Sequence, residues 1–559
     1  MNNLYKIHYS NSYNDNLLLK KVTLKRGSID SLSHYLDSSF DYDSLNRIIH
    51  QSISNNKLNI CHEYAYLHQK DNSFDLISED ILKIKVSNNK QTSYITETSS
   101  YFYDDNFNIS LIQTDDKQTR YFYDDLNHLV REDNPYINKT ITYHYDKNGN
   151  IISKKYFDYS FDNLLLSPTS TDEFIYDCNK KDRLVSFNNL SISYDDIGRP
   201  LLYKDKELAW TDQNHLISIN NNIKYFYQTN GIRRKKIIDD VVTSFIYNGN
   251  YLISSSFDNK QLIFHYILNK LVGFSYNDGS STIDYFYLSN IFGDIIAILD
   301  SNGNEIAKYV YDAFGNHLVL DNNGIVNSNP SFIGNINPFR YRGYYFDIET
   351  QLYWVSSRYY SPELCRWISP DSVDYLDPQS INGLNLYAYC GNDPVNKYEP
   401  TGHFAITLTT LLIGGLIAGA IGAGICTVLG AGVGAAALGG TTTTLFTSTG
   451  LTLSLGSALG IGSGVAFATG MAGYAVRTGI SRSEDFKVQN MFIEGGFNAV
   501  SGALSVLGGY LGGMAGVHNT VFTKLLSQKG DFWLLLLVEN VFTAGFKLTN
   551  ALIKPYFMI

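Results

Sequence analysis

Among the carboxylates of one window late in the chain, five are placed to support acid–base chemistry: Asp371, Asp374, Asp377, Asp393 and Glu399. Two neighbouring carboxyl groups of unequal pKa can activate a water molecule and protonate a leaving amide nitrogen, so acid–base chemistry would sit here. The same window, 338–402, interleaves Arg340, Arg342, Arg358 and Arg366 with Tyr341, Tyr344, Tyr345, Tyr353, Trp354, Tyr359, Tyr360 and Trp367. Guanidinium planes stack on aromatic faces and bridge carboxylates, which would lock consecutive strands together. A stacking platform for nucleic acid would need the same residue types, but the acidic surroundings disfavour it. The bland use of the acids is turn formation at Asp393-Pro394 and Glu399-Pro400.

Other chemistry finds little support. The five cysteines, Cys61, Cys178, Cys365, Cys390 and Cys426, are scattered and odd in number. They show neither a disulfide framework nor metal-ligand spacing, and the expectation is buried small hydrophobes. No H-E-x-x-H, P-loop or G-x-S-x-G occurs. Beyond the window only His403 and His518 remain, and Cys426 lies far from the latter. No cofactor and no metal are expected. Enzymatic activity is left open, with a scaffold favoured over a catalyst.

The elements that would position the window come from repeats. Aromatic-x-Tyr-Asp recurs as YFYDD at Tyr101 and Tyr121, YHYDKNGN at Tyr143, FIYDCN at Phe174 and YDDIGR at Tyr194. It continues as YFYQTNG at Tyr225, FIYNGN at Phe245, YFYLSNIFGD at Tyr285 and YVYDAFGN at Tyr309, with an earlier FDYDSLNR at Phe40. In YVYDAFGNHLV, Tyr309 and Tyr311 project from one strand face. Asp312 can bond backbone two residues on, Gly315 supplies a positive φ, and His317-Leu318-Val319 returns as the second strand. One such hairpin cannot bury its own face and is stable only when stacked on neighbours. The composition agrees: 43 Tyr but only 11 Pro favour strands joined by polar turns.

The repeat array and its ending, PFRYRGYYFDIETQLYWVSSRYYSPELCRWISPDSVDYLDPQSINGLNLYAYCGNDPVNKYEPTG, closely resemble RHS (YD-repeat) proteins and their core-associated signature. The signature residues are Arg340, Tyr341, Arg342, Gly343, Arg358, Tyr359, Tyr360, Arg366, Asn385, Tyr387, Asn392, Pro394 and Gly402. The resemblance implies an all-β repeat shell of stacked antiparallel hairpins, with a variable passenger after the signature. With fewer repeats than family shells use, an incomplete shell, or one closed with another copy, is expected. It also implies aspartyl self-cleavage near Gly402, with Asp371 and Glu399 as the candidate carboxylates. Glu399 stands where the family usually has Asp and His403 where cleaving members show Leu, and both departures weigh against cleavage.

Past Gly402 the chemistry changes. Residues 1–402 hold 37 Lys and Arg against 49 Asp and Glu, whereas 403–559 hold 7 against 5. An acidic scaffold argues against a nucleic-acid partner. No charge occurs from Phe404 to Val476, and Phe404–Gly424 is long enough to span a bilayer as a helix. Further candidate spans lie near 451–476 and 497–517. Glycines at four-residue spacing, such as Gly456, Gly460 and Gly464, suit closely packed helices in an apolar medium. The expected organisation is a β-repeat array over 1–337, the core signature over 338–402, Gly-rich apolar membrane helices over 403–480 and a variable tail over 481–559. The expected role is a scaffold that displays or encloses a membrane-active passenger for competition between cells, with an immunity protein as partner. The alternative is a non-toxic adhesive protein that binds carbohydrate or a cell surface and is anchored by its apolar tail. The first residues contain no secretory leader, so the expected location is the cell surface or the medium, reached without a cleaved leader, with a membrane-associated C-terminus.

Overall fold

In this computed structural model the described residues are most of 6–403, together with 405–407, 444–446 and 452–454. Residues 1–5, several short turns, 374–382 and nearly everything after Thr407 lie outside them. Two compact units divide the chain, 1–409 and 410–559.

The repeat's Asp organises each turn. Asp312 accepts the backbone N–H of Phe314 at 3.0 Å and of Asn316 at 2.9 Å, while Gly315 takes a φ of 91°. The same pair of bonds recurs at Asp104, Asp124, Asp146, Asp300 and Asp321. Gly149, Gly303 and Gly324 take the left-handed position after three of these, and Phe107 and Asn127 after the other two. Two carboxylate bonds thus hold even a Phe at a φ that L-residues avoid.

The Tyr before the Asp ties one repeat to the last. The hydroxyls of Tyr103, Tyr123, Tyr145, Tyr176, Tyr194, Tyr227 and Tyr311 donate to the carbonyls of Ile77, Ile109, Leu129, Ile151, Leu184, Leu216 and Ile295 at 2.6–3.0 Å. Six of these acceptors open the return strand of an earlier repeat. Strand alternation then sorts the faces: Tyr101, Tyr143, Phe174, Tyr225, Phe245 and Tyr309 are buried, whereas Phe102, Ile175 and Ile246 face out.

Twenty-eight strands among the described residues, from Lys6–Tyr13 to His317–Asp321, form one meander in which each strand pairs antiparallel with the next. Strand twist accumulates, and the sheet curls until early strands meet late ones. Val22, Leu36, Phe40, Ile60 and Val86 share an apolar cluster with Ile267, Val272, Phe286 and Leu299. Arg26 closes the same seam with two bonds to Asp284, at 3.0 and 2.7 Å. After the sheet come a single helical turn, Ile333–Ile336, and a small sheet of Tyr345–Asp347, Leu352–Val355, Arg358–Ser361 and Arg366–Trp367, every residue of which is buried.

Two expectations need correction. Cys178 is exposed, because it sits in a polar turn rather than on the buried strand face, while Cys61, Cys365 and Cys390 are buried. The helices expected over 403–480 lie almost wholly outside the described residues, but Ile406–Thr407, inside the expected Phe404–Gly424 span, pairs antiparallel with Lys397–Tyr398. Thr444–Phe446 and Thr452–Ser454 also pair as antiparallel strands, and the latter falls inside the span expected to be helical from about 451. Their threonines are β-branched and favour extended backbone. Among the described residues no helix is long and apolar enough to cross a membrane.

Candidate functional site

The signature segment lies against the repeats and bonds to many of them in turn. Asn396 accepts the Ile109 N–H at 2.8 Å, Asn392 donates to the Gly149 carbonyl at 2.6 Å, and Asn385 donates to the Asn150 side chain at 2.9 Å. Tyr387 donates to the Gly198 carbonyl at 2.7 Å and Arg366 to that of Asp182, while Tyr203 donates to Ser361 at 3.1 Å. Tyr359 receives a bond from Arg233 at 3.0 Å, and Phe339 packs edge-on against Phe264 at 4.8 Å. Carbonyls in the tight repeat turns have no ladder partner, and Asn, Tyr and Arg tips supply the missing donors.

The signature arginines stack as well as pair. Arg340 lies 4.6 Å over Phe346 and Arg366 4.8 Å over Tyr387. Arg342 lies 4.8 Å over Tyr341, pairs with Asp294 at 3.4 Å and donates to the Pro394 carbonyl at 2.5 Å. Arg342 and Gly343 hold a tight turn at φ 53° and 66°, which lets Tyr341 reach the Ala313 carbonyl at 2.9 Å. Tyr360 donates to the Phe314 carbonyl at 2.7 Å.

The two candidate carboxylates meet at Arg358. Its Nη2 is 2.8 Å from Asp371 and 3.4 Å from Glu399, its Nη1 donates to the Leu386 carbonyl at 3.0 Å, and its plane lies 4.2 Å over Trp367. Its Nε–H donates to the Gly402 carbonyl, and Ser357 donates to the Thr401 carbonyl at 2.8 Å. Glu399 also accepts the Cys390 N–H at 2.6 Å; Asp371 accepts the Ser372 N–H and faces His403 Nδ1, both at 2.8 Å. Burial pushes the Glu399 carboxyl above its usual range, Arg358 opposes, and Asp371 adds to the rise. Gly402 takes a φ of 75°, and a Cβ there would come within 2.8 Å of the Val355 carbonyl oxygen. A carboxyl pair beside a polarised carbonyl holds the ingredients of amide hydrolysis. Every carboxylate oxygen here, however, is engaged by the protein itself, which makes the cluster a clamp on the chain leaving the signature.

The other acids do not join it. Asp393 accepts from Asn396 at 2.6 Å and lies 3.7 Å from Lys397; Asp374 and Asp377 lie outside the described residues. Among the described residues no group of His, Cys, Asp and Glu could hold a metal.

Sequence reasoning missed a second ionic centre. Arg233 and Asp347, both fully buried, pair at 2.5 and 3.1 Å; Lys236 joins at 2.9 Å and also reaches Glu349 at 2.8 Å. Four rings, of Tyr225, Phe245, Tyr345 and Trp354, surround the Arg233 guanidinium at 4.5–5.2 Å. The run RRKK reads as a solvated face, and strict alternation would set Arg233 and Lys236 on opposite faces; a bulge opposite Phe226 and Tyr227 turns both inward. Lys154 is likewise buried and donates to the Glu363 carbonyl at 3.0 Å.

The comparisons with known proteins agree with this geometry. Residues 2–395 match the family model described as Teneurin YD-shell. Over 242 residues the chain is 32% identical to the tRNA nuclease WapA of Bacillus subtilis, covering 40% of this chain and 10% of that protein. It is 42% identical over 65 residues to the toxin protein Tse5 of Pseudomonas aeruginosa, covering 12% and 5%. The Photorhabdus luminescens Tc holotoxin pore superposes with a TM-score of 0.53 at 18% identity, over 71% of this chain and 20% of that one, which shows a shared fold. The matched part thus spans about a tenth of the length of WapA.

Proposed function

The chain belongs to the teneurin YD-shell family, and we propose that it is a scaffold that displays or encloses a C-terminal passenger used against neighbouring cells. One observation carries this reading: the segment ending at Gly402 is bonded to repeat after repeat and clamped by Arg358, so residues beyond it leave from a fixed point on the shell. A chain end held this way suits presentation of cargo. The family relationship to named toxins supports the same use. The passenger in this reading acts on membranes through 404–476, where no charge interrupts a bilayer-length apolar run. A cell-surface or secreted location and a neutralising immunity partner belong to the same reading.

The test is expression of residues 403–559 in a bacterium, with and without an export signal, while growth and membrane potential are followed. Growth arrest with depolarisation supports the passenger. A harmless segment that only fractionates with membranes supports an anchored adhesive protein instead, and a harmless soluble one refutes both. Self-cleavage at the clamp is a separate proposal, motivated by the Gly402 carbonyl lying beside Asp371 and Glu399. With both carboxylates already engaged, the expected product is the intact 62.9 kDa chain. A purified fragment ending at Gly402 would establish cleavage.

A further inference from the structure

The seam where early and late strands meet is fastened by a polar network with one group left unsatisfied. Arg26, on strand Leu19–Ser28, donates to both oxygens of Asp284 and, at 2.9 Å, to the Ser275 hydroxyl. Ser275 donates in turn to Asp284 at 2.5 Å, and its oxygen lies 2.8 Å from Nε2 of His265. The hydroxyl has one proton, and the carboxylate takes it. His265 must therefore donate from Nε2, and a neutral ring has no second proton to place. The other nitrogen, Nδ1, is left as a bare lone pair, and among the described residues it is buried without a hydrogen-bond partner. Tyr35, on strand Ser31–Tyr42, packs its ring 4.9 Å from the imidazole and lies under the Arg26 guanidinium at 4.0 Å. His265 and Ser275 are each only 2% exposed.

The charges that act on His265 are Arg26 and Asp284. Within the sheet, strand Lys270–Asn277 sets Gly273 opposite it and Lys270 at the strand end opposite Ile267, and strand Tyr251–Phe257 carries no charged residue. On strand Thr282–Ser289, Tyr285 stacks on Phe274 and Tyr287 donates to Asn337. Across the seam, Lys21 and Lys25 are exposed and Asp37 is taken by Thr23 and Lys21. A proton arriving at Nδ1 would find no acceptor and would add positive charge beside Arg26 in a site closed to water, which is costly on both counts. Burial first, then the Arg26 charge, holds His265 down to about 4, with Asp284 opposing. Once the seam parts, water reaches the ring, so the open state takes the proton that the closed state refuses. We propose that the network is an acid-released latch: neutral His265 keeps Leu19–Ser28 and Ser31–Tyr42 against Lys260–Ile267, Lys270–Asn277 and Thr282–Ser289, and protonation of Nδ1 parts them. Closure is fully kept above the ordinary histidine value of 6.5 and weakens as pH falls from there toward 4. Asp284 sits below its usual range, burial being outweighed by the bonds from Arg26 and Ser275, so it stays charged through that window.

The test is amide hydrogen–deuterium exchange on the full chain at pH 7.5 and pH 5, each rate divided by the intrinsic rate at that pH. Values of 6.5 for the open ring and about 4 for the closed one make opening of the seam about 30-fold more favourable at pH 5. The rise should appear across Leu19–Ser28 and Lys270–Asn277, while Lys139–Tyr145, outside the seam, changes by less than about threefold. His265→Gln keeps a donor for Ser275 but cannot titrate, and it should show no such rise. On the unaltered chain, deuterium uptake at the His265 ring C2–H, followed against pH by mass spectrometry, should titrate well below the ordinary histidine range, which keeps the test open if the variant does not fold. Equal protection at both pH values, the same rise in His265→Gln, an equal rise in Lys139–Tyr145, or a ring that titrates at its ordinary value would overturn the proposal.

Discussion

Replacing Arg358 with Met should free the exit of the chain while leaving the shell folded. Arg358 neutralises Asp371 and Glu399, whose side chains are each only 4% exposed, and it holds the carbonyls of Leu386 and Gly402. Met fills similar space over Trp367 but leaves two buried carboxylates without their cation. Breaking a buried pair in this way costs about 3–5 kcal/mol. Because the loss is confined to the clamp, it should appear as local opening, speeding amide exchange across 395–403 by roughly 100- to 1000-fold or more. The loss should be smaller at pH 5 than at pH 8, since one of two adjacent carboxyls protonates readily and Glu399 is already raised. The control is a triple variant that adds Asp371→Asn and Glu399→Gln. It carries no stranded charge and should exchange more slowly than Arg358→Met alone. Hydrogen–deuterium exchange by mass spectrometry reads both. Unchanged protection in the single variant, or a triple as open as the single, would show that charge compensation is not what holds the exit.

Glu132 gives a prediction in pH. Burial and then Asp312 push it up to about 8, against about 4.3 in an unfolded chain. Between those values the folded state holds the extra proton, so stability falls as pH rises, by at most roughly 1.4 kcal/mol per unit, and flattens above 8. Glu132→Gln removes this slope but loses one of two bonds, to Asn134 at 2.8 Å or to the Ala313 N–H at 2.9 Å, at about 1 kcal/mol. The variant should melt lower than the parent at pH 4 and higher at pH 7.5; parallel pH profiles would refute the assignment. Tyr145→Phe should cost about 1 kcal/mol or somewhat more, because the Leu129 carbonyl loses its donor. Phe102→Ser on the outer face of an equivalent strand should stay within about 0.5 kcal/mol. Denaturant titration separates the two, and equal effects would dismiss the tether.

Much of the wall was legible because its rules are local. The Asp-centred turn, the left-handed position at Gly315 and the pairing of Tyr309 with Tyr311 depend on neighbours within a few residues. The ionic centres were not legible, because each depends on curvature. Arg26 and Asp284 are far apart in sequence, and nothing near either one announces that the sheet will bring them together. The same holds for Arg233 with Asp347. At the boundary, the sequence marked Asp371 and Glu399 through their chemistry, but it could not show that Arg358 stands between them. A carboxylate pair reads alike whether it awaits water or grips a guanidinium. The apolar tail is the opposite case: composition speaks clearly there, and the described residues add only three short strands.

The buried ions solve a problem that repetition creates. A wall of similar hairpins offers the signature segment several nearly equivalent rungs, and aromatic contacts alone would not reject a slip by one repeat. Counting six residues from the Tyr that precedes the turn gives Ile109, Leu129 and Ile151 in three repeats, all buried, but Arg233 after Tyr227. Counting nine gives Lys154 after Tyr145 and Lys236 after Tyr227, both buried and both bonded to the signature segment. A slip that carried Asp347 to a neighbouring rung would set a buried carboxylate against Ile or Leu and strand Arg233 among four rings. The wrong registers are therefore penalised by a whole uncompensated charge, far more than the right one gains from the pair. Replacing Arg233 with Ile and Asp347 with Leu together should then cost less stability than either change alone. The double variant should nonetheless lose a single register, seen as two populations of exchange protection over 345–361. If the double variant keeps one sharp population, the aromatic contacts set the register and the ions are incidental to it.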